Sequence, residues 1–240
     1  MTNEGSIRLR QGRPAEALPL TERALALKEK VLPPDHPDIG TSLNNEAEAL
    51  AALGRTEEAL RINVRVYDVF MRAYGPASIE LAYTLSNRGE YLIALGRPAE
   101  ALDPLRRALI GWEAQIGPDH QFLAFPLTAT GRALLALDRP KEALAPLERA
   151  LHLREARGDD ARLLAETRFA LARALAAAGA DGPRARELAA KARATYAAVR
   201  DPAAAASVEA WLAAPAAPTR GPTRTETTAS PPLYTGRDGR

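Results

Sequence analysis

The chain has 240 residues, room for one or two domains, with 32 basic against 30 acidic side chains. The surplus of +2 lies in residues 215–240, where Arg220, Arg224, Arg237 and Arg240 face Glu226 and Asp238, so the charge gives no evidence of a nucleic-acid surface. Without cysteine, disulfides, thiolate chemistry and cysteine-ligated metal are excluded, and 51 alanines beside 5% aromatics point to an all-α protein.

The first dozen residues hold no apolar run, and the longest charge-free stretch, His120–Gly131, is 12 residues with a proline inside. A cytoplasmic protein that spans no membrane is the expectation. Along the chain one phrase returns at a fixed step. GRPAEAL begins at Gly12, GRTEEAL at Gly54, GRPAEAL at Gly96 and DRPKEAL at Asp138, each 42 residues after the last. A weaker fifth copy keeps the step from Ala143 to Ala185 and from Ala150 to Ala192. Its turn, Ala178 to Pro183, carries one extra residue.

Each unit predicts two helices. The first runs from about Asp38 to Leu53 in the second copy, and Gly54 supplies a left-handed stop. Pro98 and Pro140 suit the first turn of the helix that follows. That second helix carries Ala17, Leu20, Ala24, Leu27 and Val31 on one face, and it ends at Pro- and Gly-rich phrases such as Gly117-Pro-Asp-His120. An Asp just ahead of a helical run is read as its N-cap. Pro19, Pro104 and Pro146 fall early in second helices, where a mild bend is expected rather than a break. Gly5, Ala47, Gly89 and Gly131 form one row of small residues, and Ala17, Ala59, Ala101 and Ala143 another, where two helix axes must approach closely.

These phrases resemble the tetratricopeptide repeat family in its 42-residue, kinesin light chain-like form. Leu43-Asn-Asn45 and the Gly-Pro-Asp-His phrase carry that likeness. Tyr83-Thr-Leu-Ser-Asn-Arg-Gly89 and Leu127-Thr-Ala-Thr-Gly-Arg-Ala133 are similar to the C-terminal repeat regions of bacterial Ser/Thr protein kinases. No Gly-rich loop, His-Arg-Asp or Asp-Phe-Gly triplet of a kinase domain occurs in the chain. The family's leucine after the second asparagine is replaced by Glu46, Arg88 and Thr130. The resemblance implies a right-handed α-solenoid of helical hairpins over residues 1–200. Its units are 1–33, truncated at the start, then 34–75, 76–117, 118–158 and 159–200.

Met1 aligns with Leu43, so the chain begins inside a first helix, which predicts either a fragment or a start codon assigned too far downstream, with an uncapped end open to association. Residues 201–214, opened by Asp201-Pro202, are expected to form a capping helix through Val208, Trp211 and Leu212. Residues 215–240 are expected to be a disordered tail.

Catalytic and metal chemistry find little footing. His36 and His120 recur in the same loop phrase, His152 has no evident partner, and Glu57-Glu58 and Asp159-Asp160 open helices. No enzyme, no cofactor and no metal are expected. The inner face is more telling. The resemblance places Asn3, Asn45 and Asn87 there as amides able to hold a peptide backbone, or alternatively to satisfy neighbouring carbonyls. Three residues on come Ser6, Glu48, Glu90, Arg132 and Arg173, acidic first and basic later, with Tyr83 and Phe125 adding aromatic surface. Two readings stay open: a peptide or partner protein binds this row, or Glu90 and Arg132 pair across adjacent repeats. The leading function is a non-catalytic protein-interaction scaffold; the second is a detached regulatory region of a bacterial Ser/Thr kinase.

Overall fold

The computed structural model describes residues 2–158 and 160–214, so the expected tail lies outside the described residues. Every regular element in them is helical. First helices are α1 (Thr2–Arg10), α3 (Pro37–Ala52), α5 (Ile79–Ala94), α7 (Ala124–Ala136) and α9 (Ala161–Ala177). Each pairs with the helix that follows: α2 (Pro14–Glu29), α4 (Thr56–Tyr74), α6 (Pro98–Ile116), α8 (Pro140–Arg157) and α10 (Gly182–Ala198). A last helix, α11 (Pro202–Ala213), packs on α10. Stacked in sequence order, the hairpins form a right-handed α-solenoid.

The recurring phrase is a turn with one set of bonds. The amides of Arg13, Arg55, Arg97, Arg139 and Ala180 each reach the carbonyl five residues back at 2.8–2.9 Å, the bond that closes a Schellman turn. The residue before each lies at positive φ: Gly12, Gly54, Gly96 and Gly179 at 65–79°, and Asp138 at 56°. Glycine accepts this region freely; Asp138 does not. In four turns the arginine then donates to the glutamate three residues on, Glu16, Glu58, Glu100 and Glu142, at 2.6–2.8 Å. Ahead of α3, α5 and α7 the caps differ from the sequence expectation. His36 and His120 accept on Nδ1 from the amides of Asp38 and Phe122, and Ser78 caps α5, while Asp caps serve α9, α10 and α11. Pro19, Pro104 and Pro146 sit inside unbroken helices.

Small residues do bring each hairpin together. A Cβ on Gly89 would run into Leu105, and one on Gly131 into Leu147. Ala17, Ala59, Ala101, Ala143 and Ala185 are all at most 1% exposed, so each second helix turns a small side chain inward where the helices packed on it come close. Among the described residues, no helix is long and apolar enough to cross a membrane.

Candidate binding face

Helices two apart in the chain meet mainly through the first helices: α1 touches α3, α5 touches α7, and α7 touches α9. The second helices make no comparable contacts with one another among the described residues. First helices therefore line the shorter, inner side of the solenoid. The face they share carries two polar clusters.

The first cluster centres on Glu48 of α3. Its Oε1 accepts from Asn44 Nδ2 at 2.8 Å, from the Tyr83 hydroxyl at 2.8 Å and from Asn87 Nδ2 at 3.3 Å, the last two from α5. Asn87 Nδ2 also lies 3.4 Å from Asn44 Oδ1. Burial of its hydroxyl and the adjacent Glu48 carboxylate push the Tyr83 phenol well above its usual pKa, although its ring is 43% exposed. At neutral pH Tyr83 thus keeps its proton and donates it to Glu48.

The second cluster is a triad across three helices. Arg132 of α7 donates from Nη1 to Glu90 Oε2 on α5 at 2.9 Å and to Glu166 Oε1 on α9 at 2.8 Å. Burial holds the Glu90 carboxyl above the ordinary carboxylate range, the nearby charge of Glu166 adds to this, and Arg132 opposes both. A chain of rings leads away from the first cluster. Tyr83 lies 6.4 Å from Trp112, Trp112 is 6.0 Å from Phe122, and Phe122 is 6.3 Å from Phe125, centroid to centroid. Phe125, 37% exposed, has the buried Arg154 guanidinium 4.9 Å from its ring centre.

The sequence-derived residues thus divide. Glu48, Tyr83 and Asn87 meet in one cluster, Glu90 and Arg132 in another, and Phe125 reaches Tyr83 only through Trp112 and Phe122. Asn45 is half-buried outside the clusters; it is Asn44, the preceding residue, that engages Glu48. Asn3 falls on α1, its side chain outside the described residues. Arg173 stands apart at the far end, its guanidinium 6.0 Å from the Phe169 ring centre. Glu166 was missed, although it is the next step of the row Tyr83, Phe125. Trp112 was missed because it lies on a second helix.

The repeat geometry fits one family, and the sequence matches the family model for the tetratricopeptide repeat over residues 1–72, 45–110 and 80–156. The chain belongs to the tetratricopeptide repeat family. Among proteins with curated descriptions none matches it. Among solved structures, it is similar to kinesin light chain-type tetratricopeptide-like repeats of Podospora anserina, at 22% identity and a TM-score of 0.65, over 83% of this chain and 94% of that one. It is also similar to BtubC (BKLC) of P. vanneervenii, at 19% identity and a TM-score of 0.68, over 97% and 85%. PlcR of Bacillus thuringiensis, solved in complex with the peptide PapR7 and DNA, shares 14% identity at a TM-score of 0.70, over 86% and 72%. These likenesses are of fold. The bacterial kinase resemblance is carried by the sequence phrases alone.

Proposed function

We propose that this tetratricopeptide repeat protein is a non-catalytic interaction module that receives an extended segment of a partner protein along the inner face of α3, α5, α7 and α9. The observation that carries this is the alignment of the two polar clusters on successive first helices, each built from half-exposed groups that bridge neighbouring repeats. Glu48, Tyr83 and Asn87 present one carboxylate, one phenol and one amide that an incoming backbone or side chain can engage. PlcR, with a related fold, was solved with a bound peptide, which supports the reading.

The charge of the face sets the ligand. Glu48, Glu90 and Glu166 place three carboxylates against the single guanidinium of Arg132, so this stretch favours a basic segment. Arg132, which the sequence offers either to a ligand or to Glu90, donates to Glu90 and to Glu166. The test is an array of synthetic dodecapeptides, basic, neutral and acidic, probed with the full chain. Basic peptides should be retained. Glu48→Gln with Glu90→Gln should weaken them by roughly 1–3 kcal/mol without loss of helicity by circular dichroism. Binding unchanged in that variant would remove the inner face as the binding surface.

A further inference from the structure

A cavity of about 610 Å³ opens at the C-terminal end of the solenoid, bounded by the end of α9, the turn of residues 179–182, the start of α10 and the end of α11. That is the size of a small-ligand or side-chain pocket. Its walls are largely apolar, with Leu135, Ala176, Trp211 and Leu212 among them, and Arg173 and Arg186 also line it.

Two departures from the repeat and one small side chain shape it. At the 42-residue step the row Leu18, Leu60, Leu102, Leu144 ends in Arg186. Each of those leucines is buried or packed against the core, so a side chain that fills the hairpin elsewhere is replaced by one that turns to solvent. The row Leu9, Ala51, Ile93, Leu135 returns to a small residue at Ala176, which leaves room beside Leu135. Finally, α11 stands where the next first helix would lie, but it has 12 residues against 17 in α9. It stops about a turn and a half short and leaves the ends of α9 and α10 uncovered.

The charges point the same way. Arginines along the solenoid are mostly engaged, as in Arg55–Glu58, Arg149–Glu113 and Arg184–Glu148. Neither Arg173 nor Arg186 forms an ion pair among the described residues. The one acid in the wall, Asp181, accepts from the Arg184 amide at 3.1 Å as the cap of α10. Two guanidiniums without an ion pair among the described residues, one of them over the Phe169 ring, stand at an apolar cavity and select a ligand that is apolar and anionic together.

We propose that this cavity takes a bulky apolar side chain of a partner peptide whose neighbouring Asp or Glu is held by Arg173 and Arg186. This rests on the interaction-module reading and adds a second, oppositely charged station at the C-terminal end of the solenoid. The chain's own residues 215–240 are a poor fit: four arginines stand against two acids there.

The peptide array supplies the probe: dodecapeptides with a Leu-Leu or Phe-Leu pair flanked by Asp and Glu, and counterparts with Asn and Gln. The full chain should bind the acidic set at least tenfold more tightly than the neutral set. Arg173→Gln with Arg186→Gln should abolish that preference. Ala176→Leu with Arg186→Leu, which restores the side chains of the preceding repeat, should abolish binding of the acidic set while the melting temperature holds or rises. Equal binding of the two sets, or wild-type preference in both variants, overturns the proposal. A tenfold gain for the acidic set on Leu233→Ser with Tyr234→Ser in the full chain would assign the cavity to the protein's own tail and overturn it too. Retention of basic peptides alone sinks the cavity and spares the inner face; retention of none sinks both.

Discussion

Arg132 Nη1 lies 2.9 Å from Glu90 Oε2 one repeat away, and the same nitrogen lies 2.8 Å from Glu166 Oε1 in the opposite direction. One cation therefore ties α5, α7 and α9 together and separates two carboxylates. Arg132→Gln should destabilise the protein by about 1 kcal/mol at pH 7, the upper end for partly exposed pairs, because Glu90 and Glu166 then face each other uncompensated. Glu90 is already held above its usual value of 4.5, and losing the cation raises it further. A raised carboxyl binds its proton more tightly in the folded chain, so the cost is complete above the folded pKa and vanishes below the unfolded one. Melting curves at pH 4 and pH 7 should show the variant nearer to wild type at pH 4.

Glu46 is a second carboxylate out of place. It occupies the position of the family's leucine, one of its oxygens is buried without a hydrogen-bond partner, and burial with the nearby Glu22 and Glu29 raises its pKa. Its ionised form thus opposes folding at neutral pH, and the penalty is gone below the usual carboxylate range. Glu46→Gln should stabilise the protein by roughly 1 kcal/mol at pH 7, because it removes a half-buried negative charge close to Glu22 and Glu29. Chemical denaturation at pH 7 and pH 4 checks this; an equal gain at both would mean that the charge is not the cause.

Arg88 shows why the same position was only partly legible in the sequence. It also replaces the leucine, yet its Nε donates to Asn63 Oδ1 at 2.9 Å, and Asn63 Nδ2 donates to the Thr84 carbonyl at 3.0 Å. Asn63 is fully buried on the row that continues as Leu105 and Leu147. Two polar departures from the repeat thus satisfy each other. At Glu46 the matching residue is Thr21, whose hydroxyl donates to the Leu18 carbonyl instead. Period and turn chemistry disclose helices, glycine rows and the side of the hairpin that faces inward, because these repeat. Pairings such as Asn44 with Glu48, or Arg154 under Phe125, occur once each and depend on rotamers that no period encodes.

The turn at Asp138 is the one of the four GRPAEAL-type turns in which a non-glycine residue takes the left-handed position, at φ 56°. Asp138→Gly should stabilise the fold by up to about 1 kcal/mol, since glycine enters this region without the Cβ penalty. Gly96→Asp, the reverse change in the preceding repeat, should lose a similar amount. Thermal unfolding of both variants tests the pair, and shifts of the same sign would refute it.

Gly131 faces Leu147 so closely that any Cβ would collide with that side chain. Gly131→Ala should cost about 1–3 kcal/mol through overpacking, despite the better helix propensity of alanine. Adding Leu147→Ala should recover part of that loss, because the removed atoms are those the new methyl meets. A double-mutant cycle by denaturation measures the coupling, and strict additivity would place the strain elsewhere.

The end of the solenoid depends on α11. Val208 is fully buried, the Trp211 ring meets Phe169 edge-on at 5.9 Å, and Asp201 caps the helix through the Ala204 amide at 3.1 Å. Trp211 is only partly buried, and it also walls the cavity beside Arg173. Trp211→Ala should therefore cost about 2–3 kcal/mol, at or below the lower end for a large aromatic residue, whereas Val208→Asp should detach the helix altogether by burying an unpaired charge. Solenoid stability is carried by neighbouring interfaces, so the damage should stay local. Hydrogen exchange should quicken in α9 and α10 of Val208→Asp while α4 to α6 keep their protection. Uniform acceleration along the chain would instead show that the hairpins unfold as one unit.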